Sequence, residues 1–149
     1  MPQVETILTS LKSLVAGEPV LAVLLPGGLH HGERVQAEVV KPFGTLLVEQ
    51  ENIQKNTSGT DIVDYFVRLK VYVLQDGLRA GEILRIFHRY FDRISGLPSL
   101  DPDLARFLLI FPGSKQTVEE DKHEEFGKDI IVGKTRWLIR LAEIQPSIA

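Results

Sequence analysis

The sequence predicts an α+β domain: one antiparallel sheet of about four main strands with helices packed on one face, in the order helix, strand, strand, helix, strand, strand. Three stretches carry that expectation. Over residues 63–73 every odd position is apolar (Val63, Tyr65, Val67, Leu69, Val71, Val73), while the even ones include Asp64, Arg68 and Lys70, the period of a strand with one buried face. Asp76 and Gly77 break that alternation, and from Leu78 onward Ala80, Ile83, Leu84, Phe87, Phe91 and Ile94 recur at spacings of three and four, the period of an amphipathic helix. Further on, Thr135, Trp137, Ile139 and Leu141 alternate with Arg136 and Arg140 as a second clear strand. A strand feeding a helix through so short a turn requires the helix to fold back over the sheet.

The other elements follow in chain order. Val4, Ile7, Leu8, Leu11, Leu14 and Val15 share one helical face, so residues 4–15 form a first helix, stopped by Gly17. Pro19 suits the first turn of a short second helix through Val20, Leu21, Val23 and Leu24, which ends before Pro26-Gly27-Gly28. Val35, Ala37 and Val39 alternate briefly before Pro42 and read as a short edge strand or loop. Residues 45–53 form a strand that is apolar at Leu46 and Val48 and wet at its end, and the polar segment 52–61 turns it back antiparallel onto the central strand. Asp76 is placed to cap the central helix, a contribution of about 1 kcal/mol. Ser95-Gly96-Leu97-Pro98 closes that helix, since Gly admits the left-handed cap conformation and Pro cannot donate onward. The apolar run 104–111 is a candidate core strand, and TVEEDKHEE at 117–125 is too charged for any core, so it forms the exposed part of a hairpin around residues 112–128. The last strand starts at 126–132 and is kinked or interrupted at Gly133.

With 149 residues, 44% hydrophobic and 25% charged, the whole of 1–149 fits a single domain with a real core. A formal charge of -3 argues against strong general affinity for nucleic acid and so against sequence-specific binding, although a neutral average can hide a local patch. There is no Cys, so disulfides, thiolate nucleophiles and thiolate metal sites are out, which fits a reducing compartment. MPQVETILTS lacks a basic segment followed by an apolar run, and no window is apolar enough to span a bilayer, so the expectation is a cytosolic protein without a membrane partner. Asn56-Thr57-Ser58 matches a glycosylation acceptor only by chance in that setting.

No motif of catalysis or cofactor binding survives its spacing test. His30-His31 beside Glu33 has ligand chemistry, but neighbours on extended chain point to opposite faces and no H-E-x-x-H spacing follows. Gly133-Lys134-Thr135 resembles the end of a phosphate loop, yet Lys128 stands where its first Gly is required, and Arg136 to Leu141 reads as strand, not helix. His88 lies beside Arg85, Arg89 and Arg93, and His123 beside Glu124 and Glu125, with no evident nucleophile to activate. The chain is therefore expected not to be an enzyme, and no metal or cofactor is expected.

Charge placement is more informative. Arg85, Arg89 and Arg93 enrich the central helix, where Ile86 and Tyr90 extend the apolar surface beyond its core stripe; Glu119, Glu120, Asp121, Glu124 and Glu125 enrich the hairpin. Solvation alone accounts for many such runs. The sharper expectation is that the two are complementary faces of neighbouring subunits, a head-to-tail contact of the kind that closes into rings.

The ordering of the elements resembles the small tail-completion or tail-terminator proteins, a group of minor tail proteins of long-tailed bacteriophages and prophages. The resemblance runs through the 4–15 helix, the glycine turn near Leu29, Pro42-Phe43, the polar 56–60 hairpin, FVRLKVYVLQD at 66–76 with its following helix, and TRWLIRLAEI at 135–144. It covers nearly the whole chain and departs at the long acidic hairpin. It implies a structural virion-assembly protein whose homo-oligomeric ring, commonly of six subunits, ends the tail tube and contacts tube and head-completion proteins, in the cytoplasm during assembly and in the virion tail thereafter. Two other classes stay open: a small ligand-binding or regulatory α+β protein acting as a dimer, and an enzyme whose acid and base come from distant residues.

Overall fold

In the computed structural model, which describes residues 3–31, 42–54, 59–74, 77–112, 117–121 and 130–144, the strand with the longest alternation lies at the centre. This strand, β3 (Thr60–Leu74), pairs antiparallel with β2 (Phe43–Gln54) on one side and β6 (Ile130–Ile144) on the other. Beyond β2 lies β1 (Leu29–His31), parallel to it; beyond β6 lie β4 (Ala105–Pro112) and β5 (Thr117–Asp121), which pair with successive stretches of the same β6 edge. The result is a mixed six-stranded sheet in an α+β fold.

The three helices close one face. In α1 (Val4–Gly17), Ile7, Leu8, Leu11 and Val15 are buried, and the helix packs over β2. Pro19 sits in the first turn of α2 (Pro19–Leu24), whose Leu21 reaches the core. In α3 (Gly77–Phe91), Ala80, Ile83, Leu84, Phe87 and Phe91 are buried against β3 and β6. They share one apolar core with all six odd residues of β3 from Val63 to Val73 and with Trp137, Ile139 and Leu141 of β6. Full burial of one such side chain contributes roughly 1.5–3 kcal/mol, so this face dominates stability. Trp137 lies 4.6 Å from the Phe91 ring, which itself meets Phe87 edge-on at 5.7 Å.

Polar contacts pin the layer at its margins. The buried Tyr65 hydroxyl accepts from the Gln3 amide at 2.9 Å and donates to the Glu143 carboxylate, joining the start of α1 to the sheet. Ser10 of α1 accepts from the Ser99 amide at 3.0 Å, holding the segment after α3. Gly28, at a φ of 83°, makes the turn between α2 and β1 in a conformation most side chains avoid.

Several expectations need correction. The sheet has six strands, not about four, and is not wholly antiparallel, because β1 runs parallel to β2 and the acidic stretch contributes β5. The 104–111 run is an edge strand, with Leu108, Leu109 and Phe111 exposed and a register shift between Phe107 and Leu109. β6 is neither kinked out of register nor interrupted at Gly133; its ladder with β3 passes through the Val71–Gly133 pair unbroken. A Cβ there would meet Leu84 Cδ1 at 2.9 Å, so the missing side chain serves close approach of α3. α3 ends at Phe91 and not Ile94, because the chain tightens into i→i−3 bonds from Arg93 to Tyr90 and from Ile94 to Phe91. Asp76, the 35–39 alternation, His123, Glu124 and Glu125 lie outside the described residues.

Candidate functional site

The outer side of α3 follows from its helical period. Positions 80, 83, 84, 87 and 91 are used by the core, which leaves Arg85 and Arg89 exposed and Ile86 and Tyr90 half-buried along the flank that faces α2. Arg93, in the turn after the helix, is exposed as well. Ile86, Arg89, Tyr90 and Arg93 line an open cleft of about 320 Å³, closed on its far side by Val20 of α2. A smaller hollow of about 120 Å³ continues past Tyr90, between Leu14, Glu18, Leu21, Phe91 and Ile94. The Tyr90 hydroxyl lies 3.5 Å from Glu18 Oε1, a long contact that aims the ring between the two hollows. Two guanidinium groups over an apolar floor can bind carboxylates, since Arg offers a fork of donors matching that group.

Four of the five residues expected on α3 thus come together, while Arg85 stays outside the cleft. Val20 was not anticipated. Its signal lay in α2, where Val20 and Val23 remain exposed because only Leu21 turns inward, too short a helix for its period to be read.

The acidic side is placed by backbone pairing. Glu119, Glu120 and Asp121 pair with Val132, Ile131 and Ile130 on the β6 edge. This edge lies on the opposite flank of α3 from α2, since α1 covers β2 with α2 packed against it and β5 adjoins α3 from the β6 side. The described acidic residues and the cleft therefore occupy different sides of one molecule.

Two of the described histidines, His88 and His30, make contacts within the fold. His88 Nε2 meets the Thr135 hydroxyl, and its ring packs 4.8 Å from Trp137. Thr135 is itself buried beneath α3, so this imidazole and hydroxyl have no substrate space between them. Burial lowers the His88 pKa below its ordinary value, and the Asp92 carboxylate partly opposes the shift. His30 Nε2 donates to the Gly27 carbonyl at 2.7 Å, within the turn before β1. Among the described residues no group of three or more His, Asp or Glu side chains gathers as a metal site. No helix among them is long and apolar enough to cross a membrane. No protein-family model matches this chain, and no curated protein does.

Proposed function

We propose that this chain is a structural subunit of the tail-completion or tail-terminator type, which assembles head to tail into a ring at the end of a phage or prophage tail tube and joins it to the head. The observation that carries the reading is the cleft of Ile86, Arg89, Tyr90, Arg93 and Val20, a basic rim over an apolar floor. In this reading the acidic hairpin of the neighbouring copy, Glu119 to Glu125, enters that cleft. The separation of the cleft from β5 within one chain favours a contact between copies over one within a copy. A contact repeated head to tail uses two different surfaces per subunit and closes when the rotation fits. Such a protein acts by contact, without chemistry, cofactor or metal.

Light scattering tests the proposal. The purified protein forms a ring-sized particle that loosens as salt screens its charges. Reversing Arg89 and Arg93 to Glu reduces it to monomers, whereas Arg85→Glu, outside the cleft, leaves it assembled. A particle that survives both the Arg89/Arg93 reversal and high salt refutes the contact.

A further inference from the structure

The sheet face away from the helices is organised in cross-strand rows, read from the register of β2, β3, β6 and β4. One row is Glu49, Phe66, Leu138 and Phe111; the next holds Leu47, Arg68 and Arg136; the next holds Thr45, Lys70, Lys134 and, from β5, Thr117. Directly opposed side chains have Cβ atoms about 4.5–5.5 Å apart. Successive rows on one face stand about 7 Å apart. Four cations therefore occupy two consecutive rungs in the middle of the longest ladder in the sheet.

Like charges placed directly opposite one another destabilise a sheet. The same ladder shows the complementary solution one row beyond Phe66, where Asp64 faces Arg140 and accepts two hydrogen bonds from its guanidinium at 2.7 and 3.1 Å. Among the described residues Arg68 and Arg136 have no such match: Arg68 reaches Glu49 only at 3.9 Å, and Arg136 lies over the Phe66 ring at 5.2 Å. Both arginines are exposed, Phe66 and Leu138 are half-buried, and Phe111 at the end of their row is 65% exposed. An apolar row flanked by a row of arginines combines the two residue classes that anchor protein interfaces.

We infer that the exposed part of this sheet face, the rows of Phe66 and Arg68, is a second docking surface, for a protein partner that presents carboxylates about one row from an apolar side chain; beyond it the face closes at Thr45, Phe43, Tyr72 and Val132. A phosphate backbone fits less well. It needs a continuous cationic track, and here Glu49 and Asp64 interrupt the field while Arg136 covers the aromatic ring on which a base would stack. This surface is independent of the α3 cleft, because Arg68 and Arg136 point from the other face of the sheet.

The experiment measures fluorescence anisotropy of a labelled acidic peptide with apolar positions, EEFEELEE, against the full chain at low and moderate salt, with labelled oligo(dT) as the comparison. The peptide binds wild type in a salt-dependent way, Arg68→Glu with Arg136→Glu weakens it roughly tenfold or more, and Arg85→Glu, outside both surfaces, leaves it unchanged. Chemical-shift mapping on the unmodified protein moves the amides of Phe66, Arg68, Arg136 and Leu138, whether or not those of the α3 cleft move as well, which keeps the test valid if a variant unfolds. Arg136→Glu alone, which gives Arg68 an opposite charge across the ladder, melts no lower than wild type. The inference is overturned if the peptide does not bind at low salt, if the sheet-face variant binds it unchanged, if the amides of Phe66, Arg68, Arg136 and Leu138 do not shift, or if oligo(dT) binds in its place.

Discussion

Replacing Gly133 by Ala tests whether this glycine exists for helix approach. The added Cβ would lie 2.9 Å from Leu84 Cδ1, 3.2 Å from Leu84 Cγ and 3.5 Å from Ala80 Cβ. Carbon atoms prefer separations of about 3.5–4.0 Å, so an overlap of roughly half an ångström must be taken up by a fully buried leucine. Overpacking of this kind costs about 1–3 kcal/mol. Against it stands the lower entropy of an unfolded chain with Ala, worth about 0.4–1 kcal/mol. The net destabilisation is about 1–2 kcal/mol, or roughly 2–8 °C in Tm for a chain of this size. Urea unfolding with an unchanged slope measures it directly. The decisive comparison is a double-mutant cycle with Leu84→Ala, which alone opens a cavity costing about 2–5 kcal/mol. Because the new methyl would enter the space Leu84 vacates, the double variant is more stable than the sum of the two single losses requires. Simple additivity, or a Gly133→Ala protein as stable as wild type, refutes the close-approach account and returns the glycine to being a matter of strand flexibility.

Two further predictions concern titration. Tyr65→Phe removes the hydroxyl that accepts from Gln3 and donates to Glu143, leaving a buried amide and a carboxylate short of a partner, a loss of about 1–3 kcal/mol in chemical denaturation. Burial and the Glu143 bond hold the Tyr65 phenol well above its ordinary pKa of 10.0. The unfolded chain thus ionises first, stability declines as pH rises above about 10, and Tyr65→Phe flattens that decline. His88 has the opposite behaviour: its folded pKa is lowered from 6.5, so the unfolded chain takes up the proton more readily. Stability is present above that value and is lost as pH falls toward and through the folded pKa, and His88→Asn reduces the slope of Tm against pH between 7 and 5. A slope unchanged by the substitution contradicts this reading.

What the sequence revealed depended on how local each cause was. β3 was legible because six successive odd positions share one burial, and no turn or distant partner is needed to read that period. α3 was legible for the same reason, and with it the arginines of its outer side. β4 was misread because an apolar run looks alike at the centre and the edge of a sheet; its place follows from β6, which pairs β3 on one side and β4 on the other. Gly133 was misread because a missing side chain has the same appearance whether it bends a strand or admits a helix, and only Leu84 above it decides. The cleft was half visible: Ile86, Arg89, Tyr90 and Arg93 follow from the helical period, but Val20 joins them only through the docking of α2. The opposition of Arg68 to Arg136 had no local signature at all, since it depends on register between strands far apart in the chain.

The placement of β6 has a consequence for how the molecule comes into being. β3, β4 and β5 all precede it in the chain, and each of them hydrogen-bonds to it. As synthesis proceeds, β2 and β3 can join as a local hairpin, but β3 keeps a bare edge and the Leu- and Phe-rich β4 has nothing to lie against until its later neighbour emerges. Long-range closure of this kind is slow, and a waiting apolar strand is exposed to pairing with the wrong chain. Yield in cells should therefore respond to chaperone supply and growth temperature more steeply than the stability of the finished molecule would indicate.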